Sequence, residues 1–97
     1  MAHYIMLINW TEAGARNIKD TVKRAEAFKE MAKASGVTVK DMYWTQGACD
    51  IVATVEANDE IAFMALTATV AKGGNIRTQT MRAYTQSEMA KIVAKIA

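Results

Sequence analysis

Residues His3 to Asn9 form an apolar run in which Tyr4, Met6 and Ile8 fall on one alternating face and Ile5 and Leu7 on the other. A strand that is apolar on one side leans on helices and leaves its other side wet; a strand apolar on both sides needs cover twice over. Any fold open to this chain must therefore bury two faces of a sheet. Its means are limited. The 97 residues make one small domain, 1–97, a size at which about 60 to 68% of the unfolded surface is buried. Apolar residues make up 52% of the sequence, yet many are alanine, and leucine occurs only at Leu7 and Leu66. Association with its own kind is a common way for such a domain to complete a core, so a homodimer or higher homo-oligomer is expected.

Glycines at 14, 36, 47, 73 and 74 separate the periodic segments, and there is no proline. From about Asp20 to Ser35, Ala25, Phe28, Met31 and Ala32 recur at helical spacing inside a charged exterior. Asp20 or Thr21 is placed to cap this helix, Asp20 lies four residues before Arg24, and Gly36 is placed to end it in the left-handed conformation. Residues 11 to 19 read as a polar connection with room for one helical turn. Val37 to Thr45 reads as a second strand, with Val37, Val39 and Tyr43 as its apolar members, and Asp50 to Ala57 as a third. Asn58 is placed to cap a second long helix with Asp59 and Glu60 in its first turn and Ile61, Ala65, Leu66 and Ala68 as its inward stripe. Asn75 to Tyr84 alternates as a fourth strand. Thr85-Gln-Ser-Glu88 is a capping box, followed by Met89, Ile92, Val93 and Ile96 at i, i+3, i+4 and i+7.

The order strand, helix, strand, strand, helix, strand, helix is the split βαβ plan with one added helix, an α+β architecture. That plan puts strands one and three in the middle, in agreement with their being the most apolar. Two helices cover one sheet face; closing the other against a second copy gives a dimeric α+β barrel. The last helix carries an apolar stripe for which a partner subunit or an open sheet edge is the expected receptor.

Composition narrows the function. A net charge of +2, with acidic residues interleaved among the basic ones, lacks the clustered cations that phosphate backbones require, so nucleic acid is not expected as a partner. One cysteine excludes an internal disulfide, and Cys49 with His3 is too few for a structural zinc site; no metal and no cofactor are expected. The first residues lack the layout of a signal peptide, and no apolar run approaches the roughly 20 residues of a membrane span. A cytoplasmic protein without membrane association is the expectation.

The stretches Tyr4-Ile-Met-Leu-Ile-Asn-Trp-Thr11, Asn17-Ile-Lys-Asp20, Lys23-Arg-Ala25, Gly36-Val-Thr-Val-Lys-Asp41, Trp44-Thr-Gln-Gly-Ala-Cys-Asp50 and Asn75-Ile-Arg-Thr-Gln-Thr80 closely resemble the GYD domain family of small bacterial and archaeal proteins, over nearly the whole chain. The resemblance implies a ferredoxin-like βαββαβ sandwich and oligomerisation through the sheet, as in the dimeric α+β barrel superfamily. That superfamily includes ligand-sensing domains and cofactor-independent monooxygenases. The family motif runs Gly-x-Tyr-Asp, and here Cys49 stands where the tyrosine is expected, so no role tied to that phenol carries over. Roles for Gly47 and Asp50 do.

Gly47 serves the turn by admitting a positive φ. Asp50 either caps local amides or points into a cleft. Cys49 lacks any sequence cue for a base that would lower its pKa, and His3 reads as a strand-end polar residue. A dispersed polar and aromatic set is the candidate ligand site: Asn9, Trp10 and Thr11 after the first strand, Lys19 and Arg24 at the first long helix, Trp44, Gln46 and Asp50 around the turn, and Arg77 and Gln79 on the fourth strand. Converging, they make a pocket with aromatic walls and cationic groups for a small anionic or planar ligand, near the sheet or a subunit interface. Dispersed, the tryptophans are packing anchors and the arginines rim ion pairs. The reading is a small ligand-binding homo-oligomer; the alternatives are a cofactor-independent monooxygenase or isomerase and a purely structural assembly protein.

Overall fold

The computed structural model describes residues 1–97. Strand β1 (Ala2–Trp10) leads into a short helix α1 (Glu12–Arg16), a 3-10 turn over Ile18–Asp20 and the long helix α2 (Thr21–Ala34). Strands β2 (Val37–Trp44) and β3 (Ile51–Ala57), helix α3 (Glu60–Lys72), strand β4 (Ile76–Ala83) and helix α4 (Gln86–Ala94) follow. The sheet is antiparallel throughout in the order β2-β3-β1-β4, so the two most apolar strands are central as the pattern requires.

Helices α2 and α3 lie on one face of the sheet. There Met6, Ile8, Ile51, Ala53 and Val55 meet Phe28, Ala32, Phe63 and Leu66 in a single buried cluster. Four of the twelve buried apolar residues are alanine, so the bulk of the core falls to a few side chains. Tyr4 extends the cluster by lying 4.5 Å, centroid to centroid, from the Phe63 ring.

Three local expectations are corrected. The cap of α3 is Asp59, whose carboxylate accepts the Ile61 and Ala62 amides. The inward stripe of α3 is built on Phe63 with the expected Leu66, whereas Ile61 is 75% exposed. On β2 the alternation breaks at a bulge between Val39 and Asp41. The extra residue reverses the parity, turning Met42 toward the core and leaving Tyr43 on the opposite face. Gly14 is not punctuation at all: it is buried inside α1, against the backbone of Asn75.

The capping box forms as read. The Glu88 amide donates to the Thr85 hydroxyl at 3.1 Å and the Thr85 amide to the Glu88 carboxylate at 2.9 Å. Yet α4 buries none of its residues and scarcely touches the rest of the chain. The Thr85 amide, chiefly, holds the Glu88 carboxyl below its ordinary value of 4.5; the Thr85 hydroxyl, His3 and Arg82 act in the same direction and partial desolvation opposes them. A depressed carboxyl stabilises the folded helix above the unfolded-state value and loses that contribution as pH falls through the folded one. Amide protection in α4 is therefore expected to be constant near neutrality and to decline below pH 4.5, while protection in β1 and β3 holds. In Thr85→Ala it drops about fivefold already at pH 7. Hydrogen exchange followed by NMR reads both, and pH-independent protection in α4 would refute the role given to Glu88.

Candidate functional site

The sheet end where β1 stops and β3 and β4 begin holds most of the conspicuous polar residues, and the structure shows what each is bonded to. Asp50 reaches across to β1, its carboxylate accepting the Trp10 amide at 3.0 Å, while its own amide donates to the Ile8 carbonyl at 2.9 Å. It is a long-range latch between strands rather than a local cap. Gly47, at φ 130°, makes the turn that delivers it. Thr11 caps α1 by accepting the Gly14 amide at 3.1 Å and donates to the Gly74 carbonyl at 2.6 Å, with its amide on the Asn75 carbonyl at 3.0 Å. Cys49 has Thr45 as its neighbour, the hydroxyl donating to the Cys49 carbonyl at 2.6 Å and standing 3.9 Å from the sulfur.

Arg24 does not pair with Asp20. Its guanidinium instead donates to the carbonyls of Asn17 at 2.8 Å and Gly14 at 3.3 Å, tying α1 to α2. Asp20 makes no side-chain cap bond, because the 3-10 turn before α2 has already redirected the chain. The molecule's ion pairs are His3–Glu56, Arg16–Glu12, Lys29–Glu26 and Arg82–Glu88, so Arg24 is a cation without a carboxylate partner. Trp44 lies on the helix side, its indole N–H donating to the Thr21 hydroxyl at 3.1 Å. Trp10 packs beside the core with its indole N–H buried and without an acceptor, a costly state for a donor.

Between α2, α3 and the inward sheet face the helices diverge and leave a cavity of about 220 Å³. Its walls are apolar, formed by Met6, Ile8, Phe28, Met42, Ile51 and Ile76 among others. Polar side chains lie at its rim: Thr21 and Arg24 from the first turn of α2, and Asn75 from the segment before β4. Ala25 on α2 and Gly73 at the end of α3 are too small to close it. A wider recess near Ala2, Asn58 and Arg82 is shallow, and two of its polar groups, Asp59 and Arg82, are already engaged. Asp59 caps α3, and Arg82 stacks over Tyr84 and bonds the His3 carbonyl.

The sequence set is thus divided. Arg24 lines the cavity and Trp44 borders it through Thr21; Thr11 and Asp50 are engaged in backbone bonds a few residues away. Trp10 neighbours Ile76 across the β1–β4 ladder without lining the space. Lys19 and Gln46 are exposed. Asn9, Arg77 and Gln79 point to the opposite face, where Asn9 pairs with Arg77 and Leu7 with Gln79. The side chains that shape the cavity, Met6, Ile8, Phe28, Met42 and Ile76, read in sequence as ordinary core, and the small Ala25 opposite them was the available sign of free volume.

No group of three or more histidine, cysteine or acidic side chains is arranged to hold a metal ion, and no helix is long and apolar enough to cross a membrane.

A family model described as the GYD domain matches residues 4–93. No curated protein matches the chain. Among solved structures, MtbAldR is similar over 88% of this chain, with a TM-score of 0.66 and 13% identity; the chain spans about half of that protein, 52%. TTHA0845 from Thermus thermophilus is 22% identical, with a TM-score of 0.56 over 88% of this chain and 95% of its own. A hypothetical protein, PHS023 from Pyrococcus horikoshii, is 20% identical, with a TM-score of 0.54 over 89% of this chain and 93% of its own. At these identities the likeness is one of fold, the ferredoxin-like sandwich.

Proposed function

The chain belongs to the GYD domain family, and from that premise we propose that it works as a small homo-oligomer that pairs through its helix-free sheet face and holds a small ligand in the cavity between α2 and α3. The observation that carries this reading is the apolar band on that face. Tyr43, Val52 and Leu7 stand side by side across β2, β3 and β1, with Ile5 and Met81 adjoining in the next row. No helix covers them, and Tyr43 is 63% and Met81 46% exposed. Thr54 and Asp41, bonded to each other at 3.2 Å, complete the Ile5 row and Gln79 the Leu7 row, and His3, Glu56, Asn9 and Arg77 lie beyond them, so the apolar centre has a polar margin. A second copy offers the same band in return, as a two-fold contact requires.

The cavity supports the ligand half of the reading, being apolar and concave with few polar groups at one end. Nothing in the site favours catalysis: Asp50 is committed to the Trp10 amide, and no acid or base faces the cavity.

Native mass spectrometry and light scattering test the assembly. Wild type is expected to run as an oligomer, and Leu7→Glu, which places a charge at the centre of the band, as a folded monomer with unchanged circular dichroism. A wild type that stays monomeric at high concentration would sink the proposal.

A further inference from the structure

The cavity's polarity is distributed along its length in a way that selects among ligands. Following the elements inward from the end of the sandwich, Thr21, Arg24 and Asn75 come first, and Phe28, Met31 and Met6 lie one to two turns or a strand step further on. Thr69, the remaining polar residue of the wall, is satisfied by its own helix, its hydroxyl donating to the Ala65 carbonyl at 2.7 Å. The interior therefore offers no free hydrogen-bonding partner for a sugar, a nucleobase or a second charge, and burying such groups unpaired is costly. The outer end offers a cation. Arg24 spends two N–H donors on Asn17 and Gly14, the rest are free, and no carboxylate of the chain neutralises it. The two carbonyl bonds also hold the guanidinium in place.

Resting on the reading of this cavity as a ligand site, we propose that its occupant is a small amphiphilic monocarboxylate, its apolar body among Met6, Phe28, Met31 and Met42 and its carboxylate on Arg24. An anion beside an unpaired guanidinium gains a charge-assisted hydrogen bond. Three methionines in the wall suit bodies of differing shape, since the thioether chain repacks readily. The space of about 220 Å³ corresponds to roughly seven waters at about 30 Å³ each and lies below the usual range for drug-sized ligands, about 300–1,000 Å³. It suits a body of roughly six to eight carbons.

The experiment is a titration of the full chain with straight-chain carboxylates from butanoate to decanoate, read by calorimetry and by tryptophan emission, recorded also in Trp10→Phe so that it reports Trp44, whose indole is bonded to the cavity residue Thr21. 1-Octanol serves as the uncharged comparator. Affinity should rise about fourfold per methylene until the cavity is full and then level off. Arg24→Gln should weaken octanoate about tenfold or more while altering octanol less than twofold; the octanol result also shows that the variant's cavity is intact. Ala25→Phe, which fills the space, should abolish both. If octanol binds as tightly as octanoate and Arg24→Gln changes neither, the carboxylate assignment is wrong and the cavity remains a site. If no member of the series binds, or if binding survives Ala25→Phe, this proposal and the cavity reading beneath it both fail.

Discussion

Replacing Gly14 by alanine is expected to cost about 3 kcal/mol of folding stability and to lower Tm by roughly 12–24 °C, although alanine is the better helix former. A methyl carbon at this position falls well inside contact distance of the Asn75 carbonyl oxygen, 2.9 Å from the carbonyl carbon and 3.3 Å from the Trp10 Cβ. None of these is the movable tip of a side chain. Two of them belong to backbone that Thr11 grips through its amide and, at Gly74, through its hydroxyl. Relief therefore requires the α3–β4 connection to move away from α1 and those bonds to break. Urea unfolding should show a fall in midpoint with the slope preserved. Ala15→Gly, the reverse change on the exposed side of the same helix, should cost no more than about 1 kcal/mol. Equal effects for the two would show that close approach is not what requires glycine here. Because Asn75 also forms part of the cavity rim, the octanoate binding proposed above should weaken in Gly14→Ala even where the protein stays folded.

Phe63→Ala is expected to be as damaging, about 3–5 kcal/mol. Phe63 is 4% exposed, lies against the Tyr4 ring and is one of only two phenylalanines in a core in which four of twelve residues are alanine. Its neighbours are strands and a helix that cannot collapse into the space. A domain of this kind has a total stability of about 5–15 kcal/mol, so the variant should be largely unfolded well below the wild-type Tm. Ile61→Ala, two residues earlier on the exposed side of α3, should change stability by no more than about 0.5 kcal/mol. Differential scanning calorimetry separates the two, and a costly Ile61→Ala would mean that this face of α3 is covered in solution.

The contrast between Phe63 and Ile61 shows where the sequence is legible. Strand order follows from β1 and β3 being the most apolar, and the capping box of α4 forms atom for atom, because both signals are local and strong. The inward stripe of α3 is ambiguous in sequence because Ile61, Phe63, Met64, Leu66 and Val70 put apolar side chains on more than one side of the helix. Strict alternation along β2 puts Tyr43 inside; the bulge at Lys40 that turns it out leaves no mark in a single sequence. The site is the least legible part. Residues such as Asp50, Thr11 and Arg24 stand out as polar groups near turns, and each bonds backbone elsewhere in the chain, a pairing that spacing does not encode. The cavity is made by apolar residues indistinguishable in sequence from those that fill a core.

The bulge on β2 has one more consequence. β2 and β4 are the outer strands, and each leaves a row of peptide groups open to any extended chain. An endless ribbon of sheets needs a usable seam on both flanks, and the misstep between Val39 and Asp41 spoils one of them by twisting its donors and acceptors out of line. Sideways extension of the sheet into an open ribbon is thereby hindered on that flank.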